Sequence, residues 1–277
     1  MAEHTKSPLV LSLILWHLLS LDAPSVAVLW TWFIAKACRV PLPHSSLLAM
    51  GIAVWVLYAA DRLLDVRAPD NSQLEERHLF HLQYRNRFLT GILIGSLLLA
   101  VLLPQIPMEA IRLYLVLGGL VFGYFVVIHA TSSAHRLPKE IAVGVCFAAA
   151  VFIPTISRAP GLRVTLLPAA MLFAALCSLN CLFIYEWEHA SGDTQTPHPL
   201  TAAALAHLQS LSGTVASASF LLALFNHRSP WQISSAIAVS AIALMLLHRR
   251  RRSHQILTLR TAADLALLAP VLIVVLL

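Results

Sequence analysis

Nine apolar runs, each about long enough to cross a bilayer, take up most of this 277-residue chain. A hydrocarbon core of about 30 Å needs roughly 20 helical residues at about 1.5 Å each. The runs lie near 20–37, 45–66, 88–104, 110–130, 139–157, 164–188, 200–225, 231–247 and 257–276. The predicted fold class is therefore all-α: a polytopic transmembrane helical bundle of about nine helices in a single membrane-embedded domain, 1–277. Composition agrees, with 58% hydrophobic and 12% charged residues against about 25% charged in soluble domains. Prolines punctuate the runs. Pro24, Pro41 and Pro43 bracket the first, Pro104 and Pro107 close the third, and Pro138 opens the fifth. Pro160-Gly161 separates the fifth from the sixth, and Pro197 and Pro199 precede the seventh.

The basic residues set an orientation. With the N-terminus in the cytoplasm, thirteen of the nineteen Lys and Arg fall on the cytoplasmic side. The expectation is an integral multi-pass protein of a bacterial cytoplasmic membrane, with its N-terminus and active face cytoplasmic. The formal net charge of +6 belongs to span ends, so it points to membrane lipid and to no nucleic acid. The run Arg249–Arg252 reads as an anchor to anionic headgroups. Residues 8–21 have the length of a signal-peptide core, but apolar sequence resumes after Asp22-Ala23-Pro24 without a convincing cleavage site, so the segment is expected to be retained. Asp22 reads as a helix-start residue. Cys38, Cys146, Cys177 and Cys181 lie in or beside apolar stretches and read as packing residues.

The acids are unevenly spread. Asp61, Asp65, Asp70, Glu75 and Glu76 follow the second run; Glu186, Glu188 and Asp193 follow the sixth. Both groups face the cytoplasm in this orientation. Each opens a set of four spans, two to five and six to nine, which suggests two pseudo-repeated four-helix sets. Residues 66–87 form a long charged connection, with Leu79, Phe80, Leu82 and Tyr84 among the charges. Its readings are a short amphipathic lid over the membrane face or a solvated connector. A second cytoplasmic loop spans 189–199.

Asp61 and Asp65 are four apart, so a helix puts both carboxylates on one face. Two such carboxylates repel, and a hard cation such as Mg²⁺ relieves the repulsion and can hold a diphosphate. Nearby basic side chains can share the diphosphate charge. Ionising an allylic diphosphate also needs a dry pocket, preferably with aromatic walls. Trp55, Tyr58, Tyr185 and Trp187 are candidates for that wall, or else members of an interfacial aromatic belt. Asn180, deeper in the sixth span, reads as an interhelical hydrogen-bonding group or a site residue. Arg260 and Asp264, at i and i+4, read as a structural ion pair. His78 and His81 lack the further ligands of a zinc set. The chain contains no phosphate-cradling glycine loop, zinc-protease helix motif or convincing nucleophile triad.

The stretch Tyr58-Ala59-Ala60-Asp61-Arg62-Leu63-Leu64-Asp65 resembles the first Asp-rich motif of the UbiA-type membrane prenyltransferases, N-D-x-x-D-x-x-x-D. Asp61, Arg62 and Asp65 match in type and spacing, while Leu57-Tyr58 stand where the motif has Asn-Asp. Glu186, Glu188 and Asp193 occupy the place of the second motif, with Glu where Asp is usual. The segment from Arg136 to Lys139 corresponds to a basic cytoplasmic loop. The resemblance implies a Mg²⁺-dependent transferase that moves a prenyl group from an isoprenyl diphosphate to an aromatic or lipophilic acceptor. It implies Asp61, Asp65, Glu188 and Asp193 as catalytic residues, with Glu186 joining them as metal ligands, and Arg62, Arg67 and Lys139 as diphosphate partners. Two other classes fit the same residues. One is a catalytically silent member of that family acting as a membrane scaffold. The other is a carrier whose acidic clusters bind a cation, which the one-sided placement of the acids disfavours.

Overall fold

The computed structural model describes residues 12, 15–65, 80, 82–130, 138–189, 197–226, 228–251 and 256–276, with the backbone alone for Asp65, Phe125, residues 127–130 and Leu276. Among these residues all regular structure is helical. A bilayer explains why: it offers no water to backbone N–H and C=O groups, and a helix satisfies them within its own segment. The helices are α1 (Asp22–Ala37), α2 (His44–Asp65), α3 (Arg85–Leu102), α4 (Met108–Ala130), α5 (Lys139–Arg158), α6 (Arg163–His189), α7 (Pro199–Ala206), α8 (Leu208–Phe225), α9 (Trp231–Arg249), α10 (Ile256–Ala266) and α11 (Pro270–Ile273).

Seven stretches among the described residues are long and apolar enough to cross a membrane. They are α2, α3 with its 3₁₀ extension, α5, α6, α8, α9 and the α10–α11 segment Ile256–Ile273. A multi-pass helical membrane protein follows. Two of the nine expected runs, 20–37 and 110–130, are not among the seven, and the runs at 200–225 and 257–276 differ in detail. The first is a helix of 16 residues, or about 24 Å at about 1.5 Å per residue, short of a hydrocarbon core. The run at 200–225 breaks at His207, whose N–H bonds back to the Ala204 carbonyl at 3.1 Å. The last run turns at 267–269, because Pro270 has no N–H to continue the α-helical ladder.

The chain forms two compact units, Met1–Val28 with Pro43–Ile106, and Leu29–Leu42 with Pro107–Leu277. In the first, α3 packs on α2 through glycines. A Cβ on Gly91 would lie 2.7 Å from the Trp55 ring, and one on Gly95 would lie 2.9 Å from Val56. Small residues let the helices approach where no hydrophobic effect drives them together. Trp55 also stacks on Phe88 at 6.4 Å and donates to the Leu19 carbonyl at 3.0 Å.

In the second unit α6 is the hub, packed by α5, α8, α9 and α10. Its closest approach is to α5, where a Cβ on Gly144 would collide with the Ser178 backbone. Trp30, Phe33, Phe152 and Phe173 form a buried aromatic cluster, with Trp30 and Phe173 centroids 4.3 Å apart. The turn before α11 explains one of its polar contacts. The Val271 N–H bonds to Leu268, and the Leu267 carbonyl accepts from the Trp30 indole at 2.7 Å.

Candidate functional site

The described members of both acidic clusters, Asp61 and Asp65 on α2 and Glu186 and Glu188 on α6, fall at helix C-termini. There the aligned peptide dipoles leave partial negative charge, so acids are placed against the local field. At the end of α2 the helix persists through Asp65, which keeps positions 61 and 65 one turn apart on one face. Asp61 is exposed and Arg62 half-buried. Arg62 also acts electrostatically on Asp22. Asp22 starts α1, as expected from the sequence, and its carboxylate accepts from Ala23 N–H at 2.9 Å. Its other oxygen lies 2.7 Å from His17 Nδ1, and both side chains are buried. The His17–Asp22 pair was not legible as a feature of the sequence; its only trace is a His five residues before a helix-start Asp.

At the end of α6, in the second unit, the surroundings differ. Glu188 forms an ion pair with Arg260 of α10; the Arg260 side chain is 3% exposed and that of Glu188 18%. Two turns back along α6, Asn180 Nδ2 donates to Asp264 of α10 at 3.3 Å. Asn180 is thus an interhelical hydrogen-bonding group. Arg260 reaches across to Glu188, a partner that spacing along one helix did not suggest. Glu186 is half-buried. Trp187 is buried, stacks on Phe183 and donates its indole N–H to His248 Nδ1 of α9 at 3.1 Å. Tyr185 stacks on His189 with centroids 4.0 Å apart. These rings are packed inside the unit, so Trp187 is a core residue of the site end and not a belt residue.

Lys139, the first residue of α5, is exposed. Its neighbour Glu140 accepts from the Thr201 hydroxyl of α7 at 3.2 Å. Asp264 of α10 meets Asn180 of α6, and Gly144 of α5 lies against Ser178 of α6, so α5, α6 and α10 bring their ionic groups to one end of this unit. Glu140, Asp264 and Arg260 are site-end residues that the motif comparison passed over. Arg260 and Asp264 share α10 at i and i+4, but no spacing rule joins them to Glu140 of α5 or to the acids of α6. Asp193, Arg67, Arg136, His78 and His81 lie outside the described residues, as do the 66–79 part of the expected lid and most of the second loop.

The chemistry of the donors can be weighed against Mg²⁺, which takes oxygen ligands and retains waters. The exposed Asp61 carboxylate at a helix C-terminus fits that demand. Glu186 offers a half-buried carboxylate at the second end. Glu188 fits less well, since a guanidinium already neutralises one of its oxygens. All four cysteines are free, and burial pushes the Cys38 thiol up to about 11, which disfavours its thiolate. No protein-family model, curated protein or solved structure matches the chain.

Proposed function

We propose that the chain is a Mg²⁺-dependent intramembrane prenyltransferase, transferring a prenyl group from an isoprenyl diphosphate to an aromatic or lipophilic acceptor. In this reading the full bundle has nine spans in two four-helix sets, with the working face cytoplasmic. The observation that carries the reading is the last turn of α2. A 22-residue apolar helix ends on Asp61-Arg62-Leu63-Leu64-Asp65, with two acids placed against their own helix dipole, where a cation is the natural partner.

Asp61 and Asp65 would hold Mg²⁺, with Glu186 and Asp193 supplying the second set. Mg²⁺ would neutralise charge on the departing diphosphate. Arg62, Arg67 and Lys139 would bind phosphate oxygens. Glu188, with Arg260 against it, would act by fixing the end of α6 to α10, and would take a metal only if Arg260 gave way. The apolar walls would keep water from the reacting carbon.

The test is binding of a non-hydrolysable geranyl or farnesyl diphosphate analogue to purified protein, in Mg²⁺ and in EDTA. Binding that requires Mg²⁺ and disappears in Asp61→Asn/Asp65→Asn supports the transferase. No binding of any chain length by folded protein removes it. A second reading, a cation carrier, draws on the Arg260–Glu188 and Asn180–Asp264 contacts, because ionic groups inside a bundle often mark an ion path. Cation flux in proteoliposomes, lost in Asp264→Asn, would favour the carrier over the transferase.

A further inference from the structure

The other end of α6 carries a groove that has no part in the transferase reading. Pro168, Met171 and Leu172 of α6 face Leu221, Leu222 and Phe225 of α8 across a cavity of about 750 Å³. The walls are apolar and open sideways, and Met171 and Phe225 are 65% and 75% exposed. In a multi-pass protein such a side opening meets acyl chains and not water.

One end of the groove is polar. Asn226 and Arg228 close it. The Arg228 backbone N–H donates to Asn226 Oδ1 at 3.1 Å, which fixes the loop. Arg228 itself is exposed. It stands two residues before Pro230, the N-cap of the 19-residue α9, where the helix dipole adds partial positive charge. Trp231, the first residue of α9, is exposed as well, as expected of an aromatic at headgroup depth.

We propose that this groove seats an anionic phospholipid of the surrounding bilayer, with one acyl chain along α6 and α8 and its phosphate on Arg228. The charge complementarity is specific in kind. A long apolar wall ending in a cation matches a molecule with a long apolar chain ending in an anion. A zwitterionic lipid brings an ammonium group that offsets the attraction, and free phosphate leaves the apolar wall without a ligand. A basic side chain near the membrane surface attracts anionic headgroups.

The experiment is native mass spectrometry of the purified full chain in detergent, titrated with phosphatidylglycerol or phosphatidylcholine. Phosphatidylglycerol should bind in preference. Arg228→Gln should weaken it by about five-fold, the effect of one surface cation near a lipid headgroup, and leave phosphatidylcholine unchanged. Arg228→Lys should retain most of the preference. Ala218→Phe, on the groove wall, should reduce both lipids, with the far-ultraviolet circular dichroism showing an intact fold. Three outcomes overturn the proposal: undiminished phosphatidylglycerol binding in Arg228→Gln, unchanged binding of both lipids in a folded Ala218→Phe, or displacement of the lipid by millimolar inorganic phosphate.

Discussion

At the end of α2 an exposed Asp61 looks outward, whereas at the end of α6 a half-buried Glu188 meets a buried guanidinium. The two helix ends look alike in sequence: an apolar run, then acids at short spacing. Their surroundings give them different physics. An exposed carboxylate keeps most of its hydration and can exchange water for a metal at small cost. A carboxylate paired inside a bundle has already lost water, and its energy depends on one particular partner. Sequence likeness between two acidic motifs is therefore no guarantee of a shared role. On the proposed reading the α2 end would take the ligand, while the α6 end joins α6 to α10 through Glu188 and Arg260.

The comparison breaks most readily at Arg260. Arg260→Met should leave Glu188 as an uncompensated, largely buried charge and destabilise the protein by about 3 kcal/mol or more. Thermal unfolding in detergent would measure this. The double change Glu188→Leu/Arg260→Met should recover most of the loss, and a single change without effect would make the pair a peripheral contact. Next in size is the α2 end. Asp61→Asn/Asp65→Asn should lower Mg²⁺-dependent binding of the diphosphate analogue by on the order of 100-fold, with the melting temperature nearly unchanged. A large drop in stability instead would give the two ends the same structural role.

A third change asks what fixes the α6 end in place. Gly144→Ala would push a methyl group into the Ser178 backbone and force α5 from α6, for about 2 kcal/mol. Unfolding measurements on this variant should show the loss, while Gly118→Ala, where a Cβ would meet nothing within 4 Å, should show none. The smallest effect is expected from Asn180→Leu. It removes the 3.3 Å bond to Asp264 and should cost about 1 kcal/mol, as interhelical hydrogen bonds in membranes do. An effect on analogue binding larger than the effect on stability would move Asn180 from the scaffold to the site.

Much of the architecture was legible because it follows from composition along the chain. A run of some twenty apolar residues has few choices in a bilayer, and α2, α3, α5, α6 and α9 fall where the runs predict. The run at 200–225 misled because its hydropathy is continuous through His207, where the backbone leaves the helix. The last run misled because Pro270 was read through and not as a break. At the candidate site, spacing relates Asp61 and Asp65 by one helical turn, whereas Arg62 is named by the resemblance alone. Glu188 as a partner of Arg260 follows from no spacing, since the two lie on different helices.

The sequence by itself determined that this chain is helical and crosses a membrane repeatedly, and that its acids gather at two helix ends. Those are properties of local composition and of a period of 3.6 residues. The tertiary structure alone decided that Glu188 meets Arg260, that Asn180 meets Asp264, and that Gly144 lets α5 lie against Ser178. These contacts join residues 34 to 84 positions apart, and only the packing of the helices brings such residues within reach. Burial then leaves one acidic motif with an exposed carboxylate and sets a carboxylate of the other against a buried guanidinium.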